Sequence, residues 1–471
     1  MSSQTVEQLS FDFLPHLAVI VQRHEGQLSS DAGLLPLRQF DQRWNYTGRL
    51  AQCLFDPKPS RQHSLLSMLR QRLFGILAGY EDCNDHDTLR DDPVFKLIAD
   101  RLPEDEPLAS QPTLSRFENL ATPQVLQKLI DFTIHTGIER LKQKHDGALP
   151  ASITLDLDAT DDPTHGHQQL TLFHGYFGQY QYFPLIISEP TTRHVFVAWL
   201  RPGTVHASVG ADDDLMRVVN ALRQARPDIA IHVRGDAGFG LPRMYRICEE
   251  NNLTYTFGFS TNPRLKKLTE DLMNRAVGQY GQTKQKQRLF DCFQYQCDSW
   301  DRPRTVVAKA ECHEQGTNLR FVVTTRLPSA LRLRLEESSS KSHVPGAASP
   351  ADGEREYDHY VQRGESEQRM DELKNGLSMD RLSCHRFMAN FFRLLLHTAA
   401  FNLLNAARDH KDLPEVLRVG QPCTWRTMLI KVAALVVQSA RRIVVKLAAN
   451  WPWWPMYQSV AQRSLNFSCG P

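Results

Sequence analysis

The sequence predicts a mixed α/β protein, a sheet-bearing core framed by helices, and three observations carry that class. Up to about residue 150 the apolar residues recur at helical spacing, and no stretch makes a convincing strand. From Ser152 onward, β-branched segments alternate with helical ones. From about residue 355 helical periodicity resumes.

Six segments follow from these shifts in texture. Residues 1–150 read as a helical module, 151–262 as the first part of the core and 263–336 as a β-rich insertion. Residues 337–354 read as a flexible linker, 355–410 as the second part of the core and 411–471 as a basic helical tail. A chain of 471 residues exceeds one ordinary hydrophobic core, so two or three domains are expected.

Within the first segment, "SRQHSLLSMLRQRLFGILAGY" is amphipathic with a basic face. "SQPTLSRFENL" (110–120) is a short helix with Pro112 near its start and Ser110 as its cap. "SITLDLDAT" is a strand by alternation and β-branched content; "YQYFPLIIS" and "HVFVAWL" follow, joined by the turn "EPTTR". A helix around "DDLMRVVNALRQAR", the strand "IAIHVRGD", the helix "LPRMYRICEENN" and the strand "LTYTFGF" complete a β-β-β-α-β-α-β order. "RLFDCFQYQC", "RTVVAKAE" and "LRFVVTT" are short strands of the insertion. "ESSSKSHVPGAASPADGE" has linker composition.

Composition narrows the function classes. Net charge is +2, so affinity for a polyanion must come from local patches such as "RLPSALRLRL" (326–335). From Arg418 onward the chain holds seven basic residues and no carboxylate side chain, beside Trp451, Trp453 and Trp454; such a tail suits a phosphate-rich partner or serves as solubilising charge. The nine cysteines include no CxxC pair, which reads as reduced thiols in a cytoplasmic protein. No signal segment opens the chain, and Lys431, Arg441 and Arg442 interrupt its most apolar region, "MLIKVAALVVQSARRIVVKLAA", too soon for a membrane span.

The chemistry-bearing residues lie in three places. Asp156 and Asp158 share one side of a strand, and Asp236 closes another strand just before Gly238. In "YVQRGESEQRMDELK" the spacing predicts one helical stripe of Tyr360, Arg363, Glu367 and Lys374, beside an apolar stripe of Met370, Leu373 and Leu377. A charged stripe is either a solvated face or the edge of a site; two strand aspartates plus Glu367 favour the second. Such an oxygen-only set suits Mg²⁺, and two ions can hold both oxygens of an in-line phosphoryl displacement. Arg363 and Lys374 would then grip phosphate, with Tyr360 beside them. His165 and His167 in "THGHQ" lack a third metal ligand nearby and read as loop residues.

Tyr360-x2-Arg363-x3-Glu367-x6-Lys374 resembles the Y-(2)-R-(3)-E-(6)-K signature of DDE transposases related to the IS4 group. "GYEDCNDHDTLRDDP", "SQPTLSRFEN", "DLDATDDPTHGHQ" and "VRGDAGFG" resemble the IS1380 branch, over about residues 60 to 440. The resemblance implies an RNase H-like core interrupted by a β-rich insertion, with Asp158, Asp236 and Glu367 as metal-binding triad and two Mg²⁺, or Mn²⁺, as cofactors. Asp158 is favoured over Asp156 because Ala159-Thr160 follows it, as in the family; Gln368 departs from the family's Asn. Tyr360, Arg363 and Lys374 would contact DNA near the scissile phosphate. The implied partners are terminal inverted repeats, read by the helical module, and target DNA, engaged by a homodimer. Two alternatives stand beside this: a haloacid dehalogenase-like phosphatase using Asp156 as nucleophile and Asp158 as acid, and a transposase descendant that binds DNA without cutting.

Overall fold

The computed structural model describes residues 8–13, 17–22, 26–58, 62–327 and 348–467. Most of the basic stretch 326–335 and of the linker 337–354 therefore lies outside the described residues. Eight strands form the central sheet, in the order Gln287–Tyr295, Arg304–His313, Gly316–Thr324, Thr254–Phe259, Ala230–Gly235, Ser152–Ala159, Leu185–Glu189, His194–Trp199. Ser152–Ala159, Ala230–Gly235 and Thr254–Phe259 run parallel, and every other pairing is antiparallel. The parallel strands need crossovers, supplied by the helices Ala211–Ala225 and Pro242–Glu250.

Two expectations need correction here. The three strands of 263–336 do not stand apart as a subdomain, because Gly316–Thr324 pairs with Thr254–Phe259 and extends the same sheet. Nor are the chain ends all helical. Gln8–Phe11 pairs with Val19–Gln22, while Ala434–Ser439 pairs with Arg442–Leu447 and with Gln27–Ser29. "ALVVQSARRIVVKL" contains enough β-branched residues for a hairpin, and pairing with the distant Gln27–Ser29 completes it. Lys431 bonds Asp31 at 2.6 Å, and the helices Leu34–Trp44 and Trp454–Asn466 pack together, so the first and last segments are built as one. Buried apolar residues from Ala32 to Phe467 form one contiguous cluster that draws on every segment but 337–354, and Phe290, Cys292, Val307, Val322 and Tyr357 form a smaller one.

Two long helices cover the His194–Trp199 edge. Thr122 caps Pro123–Lys144 through the Val125 amide, and Thr133 of that helix donates to the Phe196 carbonyl at 2.7 Å. Asn402 of Phe387–Arg408 accepts from the Val195 amide and donates to its carbonyl, both at 2.9 Å, which satisfies backbone groups an edge strand would leave open. Phe387–Arg408 is the described helix long and apolar enough to cross a membrane, yet it is buried in the core with Asn390, Arg393 and His397.

"SQPTLSRFENL" does form a helix, Gln111–Glu118, and its inner face is structural. Leu114 and Phe117 are buried, and the fully buried Glu118 holds Arg72 at 2.8 Å and Arg393 at 3.0 Å. Burial would raise this carboxyl, but the two guanidiniums outweigh it and hold it at about 2, against the ordinary 4.5. A depressed folded-state pKa contributes stability above pH 4.5 that is lost as pH falls toward 2. The stability gap between wild type and Glu118→Gln is therefore expected to narrow steadily across that window in denaturation titrations.

Candidate active site

The register of two parallel strands builds the centre of the site. Gly235 lies opposite Leu157, so the next residues on the two strands, Asp158 and Asp236, emerge side by side. Both acids stand at strand C-terminal ends, where ligands gather in open sheets. Asp158 Oδ1 accepts from the Ala159 amide at 2.9 Å, and Asp236 Oδ1 from the Gly238 amide at 2.8 Å. A Cβ on Gly238 would come within 2.8 Å of Ala207 and 3.0 Å of Asp236 Oδ1, so glycine keeps that turn tight.

The helical side of the site is less regular than its spacing predicts. Pro350–Val361 ends before Arg363, a second helix runs Gly364–Asp371, and a π-turn covers Glu372–Gly376. Tyr360, Arg363, Glu367 and Lys374 thus come from three consecutive segments. Ser366 donates to Asp158 Oδ2 at 2.6 Å and fixes the second helix over the strand. Arg363 stands 3.6 Å from Asp158 Oδ2 and bonds Glu367 Oε1 at 2.9 Å, and its guanidinium lies over the Tyr360 ring. Glu367 is 68% exposed. Lys374 reaches Asp161 Oδ1 at 3.0 Å and the Asp161 carbonyl at 2.8 Å, on the loop just after Asp158. Met370, Leu373 and Leu377 are buried, as their stripe predicts.

The electrostatics tie these groups together. Burial pushes the Asp158 carboxyl up and the nearby Asp236 charge adds to that, against Ser366 and Arg363. Burial pulls Arg363 down, but Tyr360, Asp158, Glu367 and Asp236 outweigh it and leave it raised. Tyr360 is raised by burial, with Arg363 opposing. Arg363 therefore stands as counter-ion amid three carboxylates, whose ligand oxygens do not converge within 4.8 Å of one another. A buried aspartate raised in part by a second aspartate is a donor set that a hard divalent cation would relieve, so the residues fit such an ion.

Asp156 has a different role from its neighbour. It is fully buried, taking Arg234 at 2.7 and 3.0 Å and Arg369 at 2.6 Å. Both oxygens are engaged, which leaves no free nucleophile for the phosphatase alternative. His165 and His167 are exposed around Gly166, outside any three-ligand group among the described residues.

Three participants escape a reading by motif. Ser366 orients Asp158, Arg369 clamps Asp156, and Gly258 carries no side chain where Tyr360 crosses the sheet. Ser366 and Arg369 are three apart on one helix, opposite acids two apart on one strand; matching those periodicities could have found them. A Cβ on Gly258 would lie 2.7 Å from the Ala237 nitrogen and 2.8 Å from the Tyr360 hydroxyl. Gly258→Ala is expected to displace both, and to lower the thermal unfolding midpoint by more than Tyr360→Phe does.

The whole is an oxygen-only acidic centre at the strand ends of a mixed α/β sheet. The chain belongs to the DDE transposases: the family model for transposase DDE domain group 1 matches residues 12–467. No curated protein sequence matches it. Among solved structures it is similar to a piggyBac transposase synaptic complex with hairpin DNA, at 14% identity and a TM-score of 0.39, over 80% of this chain and 75% of that one.

Proposed function

We propose that this transposase, of IS1380 type, cleaves DNA at the ends of an insertion sequence and joins the freed 3′-hydroxyls to target DNA. The observation that carries this reading is the paired emergence of Asp158 and Asp236 beneath Arg363 and Glu367. The five strands His194–Trp199, Leu185–Glu189, Ser152–Ala159, Ala230–Gly235 and Thr254–Phe259 support an RNase H-like core, since Leu185–Glu189 runs antiparallel to both its neighbours and the other four strands share one direction.

Asp158, Asp236 and Glu367 would hold two Mg²⁺, or Mn²⁺. Bound there, such ions supply charge for the scissile phosphate and an acidified water. Ser366 keeps the Asp158 carboxylate oriented while Ala159 and Gly238 amides fix one oxygen of each aspartate. Arg363 shifts from its carboxylate partners to non-bridging phosphate oxygens as DNA enters, with Tyr360 supporting its guanidinium and Lys374 gripping the adjacent phosphate. Further along the duplex, exposed Arg441, Arg442 and Lys446 on the terminal hairpin suit backbone contact, whereas Arg426 and Lys431 are occupied with internal partners. Two ends are paired by two copies of the chain.

The test is strand cleavage on duplex DNA containing the element's terminal inverted repeats, with Mg²⁺. Wild type is expected to nick at the ends and Asp236→Asn to leave the DNA intact; equal nicking by both would place the chemistry elsewhere.

A further inference from the structure

One strand and one helix lie along each other for longer than the acidic site requires. His232, Arg234 and Asp236 share a face of their strand, and Glu356, His359, Tyr360 and Arg363 share a face of the helix and turn above it. Arg234 in the middle donates to the His359 carbonyl at 2.7 Å. At the end away from Asp236, His232, Glu356 and His359 bring their ligand atoms within 4.8 Å of one another. Four residues of strand separate His232 from Asp236, roughly 13 Å.

Two of the three are already oriented by hydroxyls behind them. His232 Nδ1 is 3.0 Å from the Thr254 hydroxyl, which leaves Nε2 buried without a hydrogen-bond partner on a side chain only 7% exposed. Glu356 is 4% exposed, and Thr256 and Thr324 both donate to its Oε1, so Oε2 remains for a cation. The cation there is Arg326, which lies 3.4 Å from Glu356 Oε2 and 2.8 Å from His359 Nδ1. A guanidinium thus bridges a carboxylate oxygen and an imidazole nitrogen while a second imidazole nitrogen faces the same space unpaired. Arg326 is 37% exposed, so it has an outward path. The cluster borders a cavity of about 460 Å³ lined also by His145, Thr154 and Thr191, room for a water as a further ligand.

We propose that His232, Glu356 and His359 form a second metal site, distinct from the carboxylate centre, that takes a borderline divalent ion of the Zn²⁺ class in exchange for Arg326. Two imidazoles with one carboxylate select zinc or cobalt over magnesium, which prefers oxygen ligands throughout. The threonine hydroxyls behind His232 and Glu356 are the supporting shell such sites use. The ion is a staple: it ties the Asp236 strand to the Tyr360 helix at one end and thereby holds the register of both at the other.

Cobalt(II) added to the Asp236→Asn variant, whose carboxylate centre is disabled, is the probe. A saturable visible absorption band of one equivalent per chain is expected, abolished by Zn²⁺ competition and absent in His232→Asn and His359→Gln. Arg326→Gln keeps every ligand and removes the competing cation, so it is expected to bind Co²⁺ about tenfold more tightly. Thermal unfolding without metal checks that the histidine variants fold. A band that survives His232→Asn, or no saturable band in either the Asp236→Asn or the Arg326→Gln chain, would overturn the site. Should the histidine variants fail to fold, unchanged or weaker Co²⁺ affinity in Arg326→Gln overturns it alone.

Discussion

Asp158→Asn is expected to eliminate strand cleavage, by about 10³-fold or more, while leaving the protein folded and if anything more stable. The asparagine side chain has the same shape, and its oxygen can still accept from the Ala159 amide or from Ser366. It lacks the charge. In the ion-free protein that charge is a cost, because burial and the neighbouring Asp236 both push the Asp158 carboxyl upward. Removing it relieves like-charge repulsion, so the denaturation midpoint should hold or rise as activity disappears. The same shift sets a pH dependence. A raised carboxyl is protonated at a higher pH than an ordinary aspartate, so Mn²⁺ affinity in calorimetric titration should fall as pH drops through that raised value. Residual cleavage by Asp158→Asn near wild-type rates, or a clear loss of stability, would show that Asp158 is a packing residue.

Arg234→Met should do the reverse, costing about 3–5 kcal/mol of stability because it leaves the Asp156 carboxylate in the core with one guanidinium instead of two. The pair is bidentate and fully buried, so solvent cannot replace the lost partner. Arg234 also ties the strand to the helix through the His359 carbonyl, a contact the methionine cannot make. Combining Asp156→Asn with Arg234→Met should cost less than the sum of the two single losses, since either change alone already breaks the pair, while Arg369 loses its carboxylate only through Asp156→Asn. Urea denaturation of the four proteins measures the coupling. Additive losses would mean that Asp156 and Arg234 do not act as a pair.

Much of the sheet was legible in advance. Alternation and β-branched content marked Ser152–Ala159, Ala230–Gly235 and Thr254–Phe259, although the structure buries both faces of the last two. The terminal hairpin was not legible: its valines sit among alanines and basic residues, and only pairing with Gln27–Ser29 makes extended backbone the better choice for that stretch. The break after Val361 was hidden for a similar reason. Charged residues at helical intervals look continuous, and the packing of Ser366 and Lys374 against the Asp158 strand and its following loop rotates the second and third segments into place.

What the sequence determined by itself was which residues carry chemistry: two strand aspartates, a spaced Tyr-Arg-Glu-Lys set, and glycines at the turn beyond Asp236. It could not divide the labour between Asp156 and Asp158, two acids in the same strand with the same local signal. Tertiary structure decided that, because the partners come from far along the chain: Arg234 and Arg369, 78 and 213 residues away, neutralise the first, and Ser366, 208 residues away, merely orients the second. A carboxylate is inert where cations saturate both its oxygens and reactive where they do not, and that depends on the fold around it rather than on the residues beside it.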